Sequence, residues 1–150
     1  MIGLENYVCD TNSIISSFAD IFHSTSTISG RALSIIEEAI QPYPSYIRLS
    51  IPSVVFIELF DKYLVDVESV REFYYKCYVK IVDSPNVEIK PIEKEVLQQL
   101  INLKYSLPNH DIHDKLILAC AMTLECPLIT SDSVLIDFVQ KHRVIPEILS

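Results

Sequence analysis

Short apolar runs alternate with longer stretches of helical apolar spacing along the whole chain. The first run, Tyr7-Val8-Cys9, ends in Asp10-Thr11-Asn12, the pattern of a buried strand followed by a helix N-cap. Ile14, Ile15, Phe18, Ile21 and Phe22 then recur at helical spacing and predict one helix over 13–22. Polar residues 23–29 read as a turn. Leu33, Ile36, Ala39 and Ile40 predict a helix over 31–41, broken by Pro42-Tyr43-Pro44. Alternation over 46–51 predicts a second strand, after which Pro52, as first helical residue, opens a helix over 54–64.

The second half repeats the rhythm. A helix rich in aromatics is predicted over 67–82, with Phe73, Tyr74 and Tyr78, then a turn at 83–86 and a short strand, Val87-Glu88-Ile89. A helix over 91–105 directs Val96, Leu97, Leu100 and Leu103 inward. Pro108-Asn109-His110-Asp111 leads into a strongly apolar helix over 112–124. Leu128-Ile129-Thr130 reads as a buried strand, 133–141 as a helix and Val144-Ile145 as a closing strand. Strands alternating with helices in this way imply an α/β fold, a central, mostly parallel sheet covered on both faces, in one domain spanning 1–150.

Composition narrows the function. Hydrophobic residues make up 49% of the 150, enough for a sizeable core. The only glycines are Gly3 and Gly30, which excludes the glycine-rich phosphate loops. The N-terminal stretch has no basic region ahead of an apolar run, and no apolar segment approaches the roughly 20 residues of a membrane helix. Cys9, Cys77, Cys120 and Cys126 form no C-x-x-C pair and read as free thiols of a reducing, cytoplasmic compartment. A net charge of −8 suits a protein that gathers carboxylates for cations better than one that grips nucleic acid with a basic face.

Four carboxylates stand out. Asp10 and Asp132 each follow a predicted strand, the location where open α/β sheets bind ligands. Glu58 lies in the apolar stretch Val54-Val55-Phe56-Ile57-Glu58-Leu59-Phe60, and Asp114 precedes Lys115-Leu116-Ile117-Leu118 on the first turn of a buried helix. Capping explains any one such acid, as does a solvent edge for Glu58. Converging, they would repel one another, and a hard divalent cation resolves that conflict. Asp111 lies on the same side as Asp114, and one of the pair is expected to be structural.

These residues resemble a PIN domain. The matching pieces are Tyr7 to Asn12, Ile51 to Leu59, His110 to Ala121 and Pro127 to Asp132. The resemblance implies a three-layer α/β/α fold and an acidic pocket holding Mg²⁺ or Mn²⁺. It also implies endonucleolytic cleavage of RNA. By position, Asp10, Glu58, Asp114 and Asp132 are the metal-binding, catalytic acids, with Asn12, Asp111 and Ser131 in supporting roles. Many members of this size are similar to toxins of bacterial toxin–antitoxin pairs, which form homodimers inhibited by a protein antitoxin. Ile112-His113 and the long segment 22–46 depart from that toxin pattern. The main alternative is a catalytically silent PIN-like domain binding RNA or protein. Zinc at His110 and His113 with Cys120 or Cys126 fits no usual spacing, so these histidines read as surface or outer groups. A receiver-type phosphoacceptor lacks its lysine near the last strand.

Overall fold

The computed structural model describes residues 3–150; Met1 and Ile2, part of the stretch read for a leader, lie outside them. Its strands are β1 (Glu5–Cys9), β2 (Ile47–Pro52), β3 (Val87–Lys90) and β4 (Leu128–Ile129). The helices are α1 (Thr11–Ser17), α2 (Ala19–Phe22), α3 (Gly30–Ala39), α4 (Ser53–Glu58), α5 (Val67–Phe73), α6 (Val79–Asp83), α7 (Lys94–Asn102), α8 (Ile112–Leu124) and α9 (Ser133–His142). All strand pairs are parallel, in the order β3-β2-β1-β4. Tyr7 lies opposite Leu49, Val8 opposite Leu128, and Leu49 opposite Val87. The chain thus runs outward from β1 to β3 and returns to the other side of β1, which makes the gap between β1 and β4 the topological switch point.

The core is one cluster. Val8, Cys9, Leu49, Ile51, Leu128 and Ile129 from the sheet meet Ile14, Ile36, Leu59, Phe73, Ile117 and Leu118 from the helices. The apolar runs are short and unbroken because both faces of the strands are covered. No helix among the described residues is long and apolar enough to cross a membrane.

Several expectations need correcting. The helix predicted over 13–22 breaks at Phe18 (φ −125°, ψ 42°) into α1 and α2. Ser17 Oγ donates to Ser13 O at 2.9 Å and competes with the helix ladder there, while Ser16 Oγ accepts from Thr27 N at 2.9 Å and ties the 23–29 loop to α1. Pro52 closes β2 and caps α4 instead of being its first residue. Leu97 is exposed, while Val96 and Leu103 are buried. Val144-Ile145 forms no strand. Arg143 ends α9 in the left-handed conformation and Pro146 has no N–H to donate, so pairing waits until Leu149, opposite Ile129. Two π-helical turns, Leu59–Tyr63 after α4 and Tyr74–Tyr78 between α5 and α6, had no signature in the apolar spacing.

Candidate active site

Asp10 and Asp132 flank the switch point, one after β1 and one just beyond β4. Each caps a helix. Asp10 Oδ1 accepts from Ser13 N at 2.8 Å at the start of α1. Asp132 Oδ1 accepts from Val134 N at 2.9 Å and Leu135 N at 3.2 Å at the start of α9. Helix N-termini favour anions, so a local rule supplies two fixed carboxylates at the mouth of the sheet. Asp114 sits on the first turn of α8, and Glu58 on the last turn of α4, which packs against α8.

Asp10 is almost fully buried. Burial raises its pKa and nearby Asp132 adds to this, against hydrogen bonds from Ser13 and Thr130 that favour the charged form. Ser13 Oγ lies 2.6 Å from Asp10 Oδ1 and 3.0 Å from Ile129 O, so its one proton ties β1 or β4 to the same turn. Thr130 Oγ1 accepts from Asp132 N at 3.1 Å, which links the two acids through one hydroxyl. Burial pushes Asp114 up to about 6, helped by Asp111, Glu58 and Asp132 and opposed by His110. Asp114 therefore senses Glu58 on one side and Asp132 on the other, and Asp132 in turn is sensed by Asp10. Four acids from distant parts of the chain share one electrostatic neighbourhood.

Asp111 is the structural member of its pair. Its Oδ1 caps α8 by accepting from Asp114 N at 3.0 Å, and its Oδ2 accepts from Lys62 Nζ at 2.9 Å. Burial works against its charge, yet these bonds outweigh burial and hold Asp111 at about 2. Lys62 also donates to Glu58 Oε2 at 3.1 Å. These two hydrogen-bonded carboxylates, Asp111 first, push the lysine's pKa up.

The remaining expected support is arranged differently. Asn12 is exposed, and the residues that hold Asp10 are Ser13 and Thr130. Ser131 Oγ donates to Thr27 Oγ1 at 3.1 Å, which fastens the 23–29 loop to the end of β4. The two histidines, read from sequence as surface or outer groups, contact the acids. His110 Nε2 lies 2.8 Å from Asp132 Oδ2, its side chain only 9% exposed, and His113 Nδ1 lies 3.5 Å from both Glu58 Oε2 and Asp111 Oδ2. The signal for Ser13 was its place three residues after the capping Asp10, and for Lys62 its i,i+4 spacing from Glu58. For His110 there was none, because only the fold brings its loop to Asp132.

The donor set fits a hard divalent cation. Ligand atoms of His110, Asp114 and Asp132 all lie within 4.8 Å of one another, as do those of Glu58, Asp111 and His113. Carboxylate oxygens dominate both groups, as Mg²⁺ and Mn²⁺ prefer. Thr11 Oγ1, His110 Nδ1 and His113 Nδ1 are buried without a hydrogen-bond partner, as polar atoms are when a site is finished by something other than protein.

Comparison with known proteins follows the same lines. The family model described as PIN domain matches residues 8–144. No curated protein matches the chain. Among solved structures it is similar to a chain of VapBC2 from Rickettsia felis, solved bound to a DNA fragment from its promoter, at 16% identity, TM-score 0.61 and 96% of each chain covered. It is also similar to a chain of a toxin–antitoxin complex from Klebsiella pneumoniae, at 16% identity, TM-score 0.55 and 96% of each chain. At such identity the likeness is one of fold. The family model spans nearly the whole chain, and on that match the chain belongs to the PIN domain family.

Proposed function

We propose that this protein is a divalent-metal-dependent endoribonuclease that hydrolyses RNA phosphodiesters at Asp10, Glu58, Asp114 and Asp132, and that it is the toxin of a toxin–antitoxin pair. The observation that carries the reading is the meeting of these acids around the switch point between β1 and β4. Carboxylates so grouped repel one another until a cation joins them, and among the described residues no nucleophile–base pair competes for the chemistry.

Asp10, Asp114 and Asp132 would hold Mg²⁺ or Mn²⁺, with Glu58 closing the pocket from α4. When bound, such an ion withdraws charge from the phosphate and lowers the pKa of a coordinated water. The chain's own contribution is orientation. The amides of Val134 and Leu135 fix Asp132 Oδ1, His110 fixes Oδ2, and Ser13 fixes Asp10. Three of the four acids lie at helix N-termini, whose dipoles offset part of their mutual repulsion.

A cognate antitoxin and a homodimer are part of the proposal. The two solved neighbours come from toxin–antitoxin complexes, and Phe60, Val70 and Tyr74 line one apolar groove on this chain's surface while substantially exposed. Four free cysteines accord with a cytoplasmic setting. The test uses purified chain, a labelled single-stranded RNA and Mg²⁺ or Mn²⁺. Cleavage is expected, with loss in EDTA and a drop of more than about 100-fold in Asp10→Asn and Asp132→Asn. Unchanged cleavage by both variants would assign the activity elsewhere. RNA binding without turnover would support the reading of a catalytically silent domain.

A further inference from the structure

We infer, on the metal-dependent reading above, that the ammonium of Lys62 stands in for a second cation, so that the pocket holds one divalent ion although it has ligands for two. The two ligand groups differ in one respect. Around His110, Asp114 and Asp132, among the described residues, no lysine or arginine is paired with an acid, and the one side chain within hydrogen-bond distance of Asp132 Oδ2 is the His110 imidazole. Around Glu58, Asp111 and His113 the oxygens already converge on a charge. Lys62 Nζ is 3.1 Å from Glu58 Oε2 and 2.9 Å from Asp111 Oδ2, the same two oxygens that lie 3.5 Å from His113 Nδ1.

The backbone holds the lysine there. Glu58 is the last residue of α4, and the π-helical turn Leu59–Tyr63 begins immediately after it, carrying Lys62 over the carboxylate. Wide turns of this kind recur at functional sites. From the other side Asp111 is pinned, since its second oxygen caps α8. With one ammonium between two carboxylates, the group keeps a single net negative charge. A divalent ion entering it would face that ammonium at contact distance and lose the carboxylate oxygen that binds it best. A fixed positive charge at that position also offers the phosphate part of what a second ion gives in two-metal sites.

The experiment titrates Mn²⁺ into the full chain at constant ionic strength, followed by calorimetry and by the electron spin resonance of free Mn²⁺. Wild type is expected to bind one ion per chain, Lys62→Gln two, and Lys62→Arg, which keeps the charge, one. Circular dichroism and melting confirm that each variant is folded, as expected for a side chain that is 42% exposed. Should Lys62→Gln fail to fold, Lys62→Met takes its place with the same two-ion expectation. Two ions in wild type, or one in the folded neutral variant, overturns the role of Lys62 and leaves the nuclease reading standing. No ion in wild type overturns both.

Discussion

Half-buried on the first turn of α8, Asp114 has Asp111, Glu58 and Asp132 around it and only His110 to offset them. Its ordinary value is 3.8, and in the folded chain it titrates near 6. The folded state therefore holds this proton more tightly than the unfolded state. The stability tied to it is complete below about pH 4 and is lost as the pH rises through about 6. Asp114→Asn keeps the shape and removes the charge. In EDTA at about pH 7.5 it is expected to melt above wild type, by roughly 1–2 kcal/mol once water's access to the group is discounted. The gap should close towards pH 4. A variant that melts below wild type at neutral pH, or a gap that ignores pH, would show that burial and neighbouring charge do not raise this carboxyl's pKa. The placement of Asp10 and Asp132 was readable from sequence because an acid at the end of a short apolar strand, directly for Asp10 and after Thr130-Ser131 for Asp132, is a local pattern. Ser13, Thr130 and His110 were not, because each acts across a contact that exists only once β1 and β4 lie side by side.

Elements explain both the readable and the unreadable parts of the fold. Alternation and helical spacing identified every strand of the sheet, since covered parallel strands leave short apolar runs behind. Strand order is a property of the packed sheet and not of any window of residues, so the switch point emerged only from β1 pairing with both β2 and β4. The breaks were hidden for a related reason: the serine at 17 and the two π-helical turns alter backbone bonding without altering apolar spacing. Asn86 is a further case. It looked like an ordinary turn residue, yet it joins three elements at the end of the sheet away from the acids. Its Nδ2 donates to Ala39 O at 3.1 Å and Tyr43 O at 2.9 Å, and its Oδ1 accepts from Ser45 N at 2.8 Å and from Arg48. Asn86→Ala leaves those groups unpaired in a buried site, a loss of about 2–3 kcal/mol. A fall of roughly 5–10 °C in Tm is expected for a chain of this size, with RNA cleavage at 25 °C unchanged. Loss of cleavage in the folded variant would mean that the two ends of the sheet are coupled.

For the molecule as a whole, the net charge of −8 and the clustered acids pull in one direction. Folding brings carboxylates together that the unfolded chain keeps apart, so the native state carries a repulsive cost that the proposed cation would remove. An ion that binds the folded chain and not the unfolded one stabilises it by RT ln(1 + [L]/Kd), about 2.7 kcal/mol at a hundredfold excess over Kd. For 150 residues that corresponds to a rise of roughly 5–11 °C in Tm. General screening of a negative surface would also raise Tm, but it depends on ionic strength and not on the identity of the ion. Melting in Mn²⁺ or Mg²⁺ is therefore compared with melting in NaCl of equal ionic strength. The divalent ion is expected to give the larger shift, saturating with concentration. Asp132→Asn should start with a higher Tm in EDTA, because one repelling charge is gone, and should gain much less from the metal. Equal shifts in both salts, or an undiminished metal response in Asp132→Asn, would leave the acids as a charged surface and not a chelating pocket.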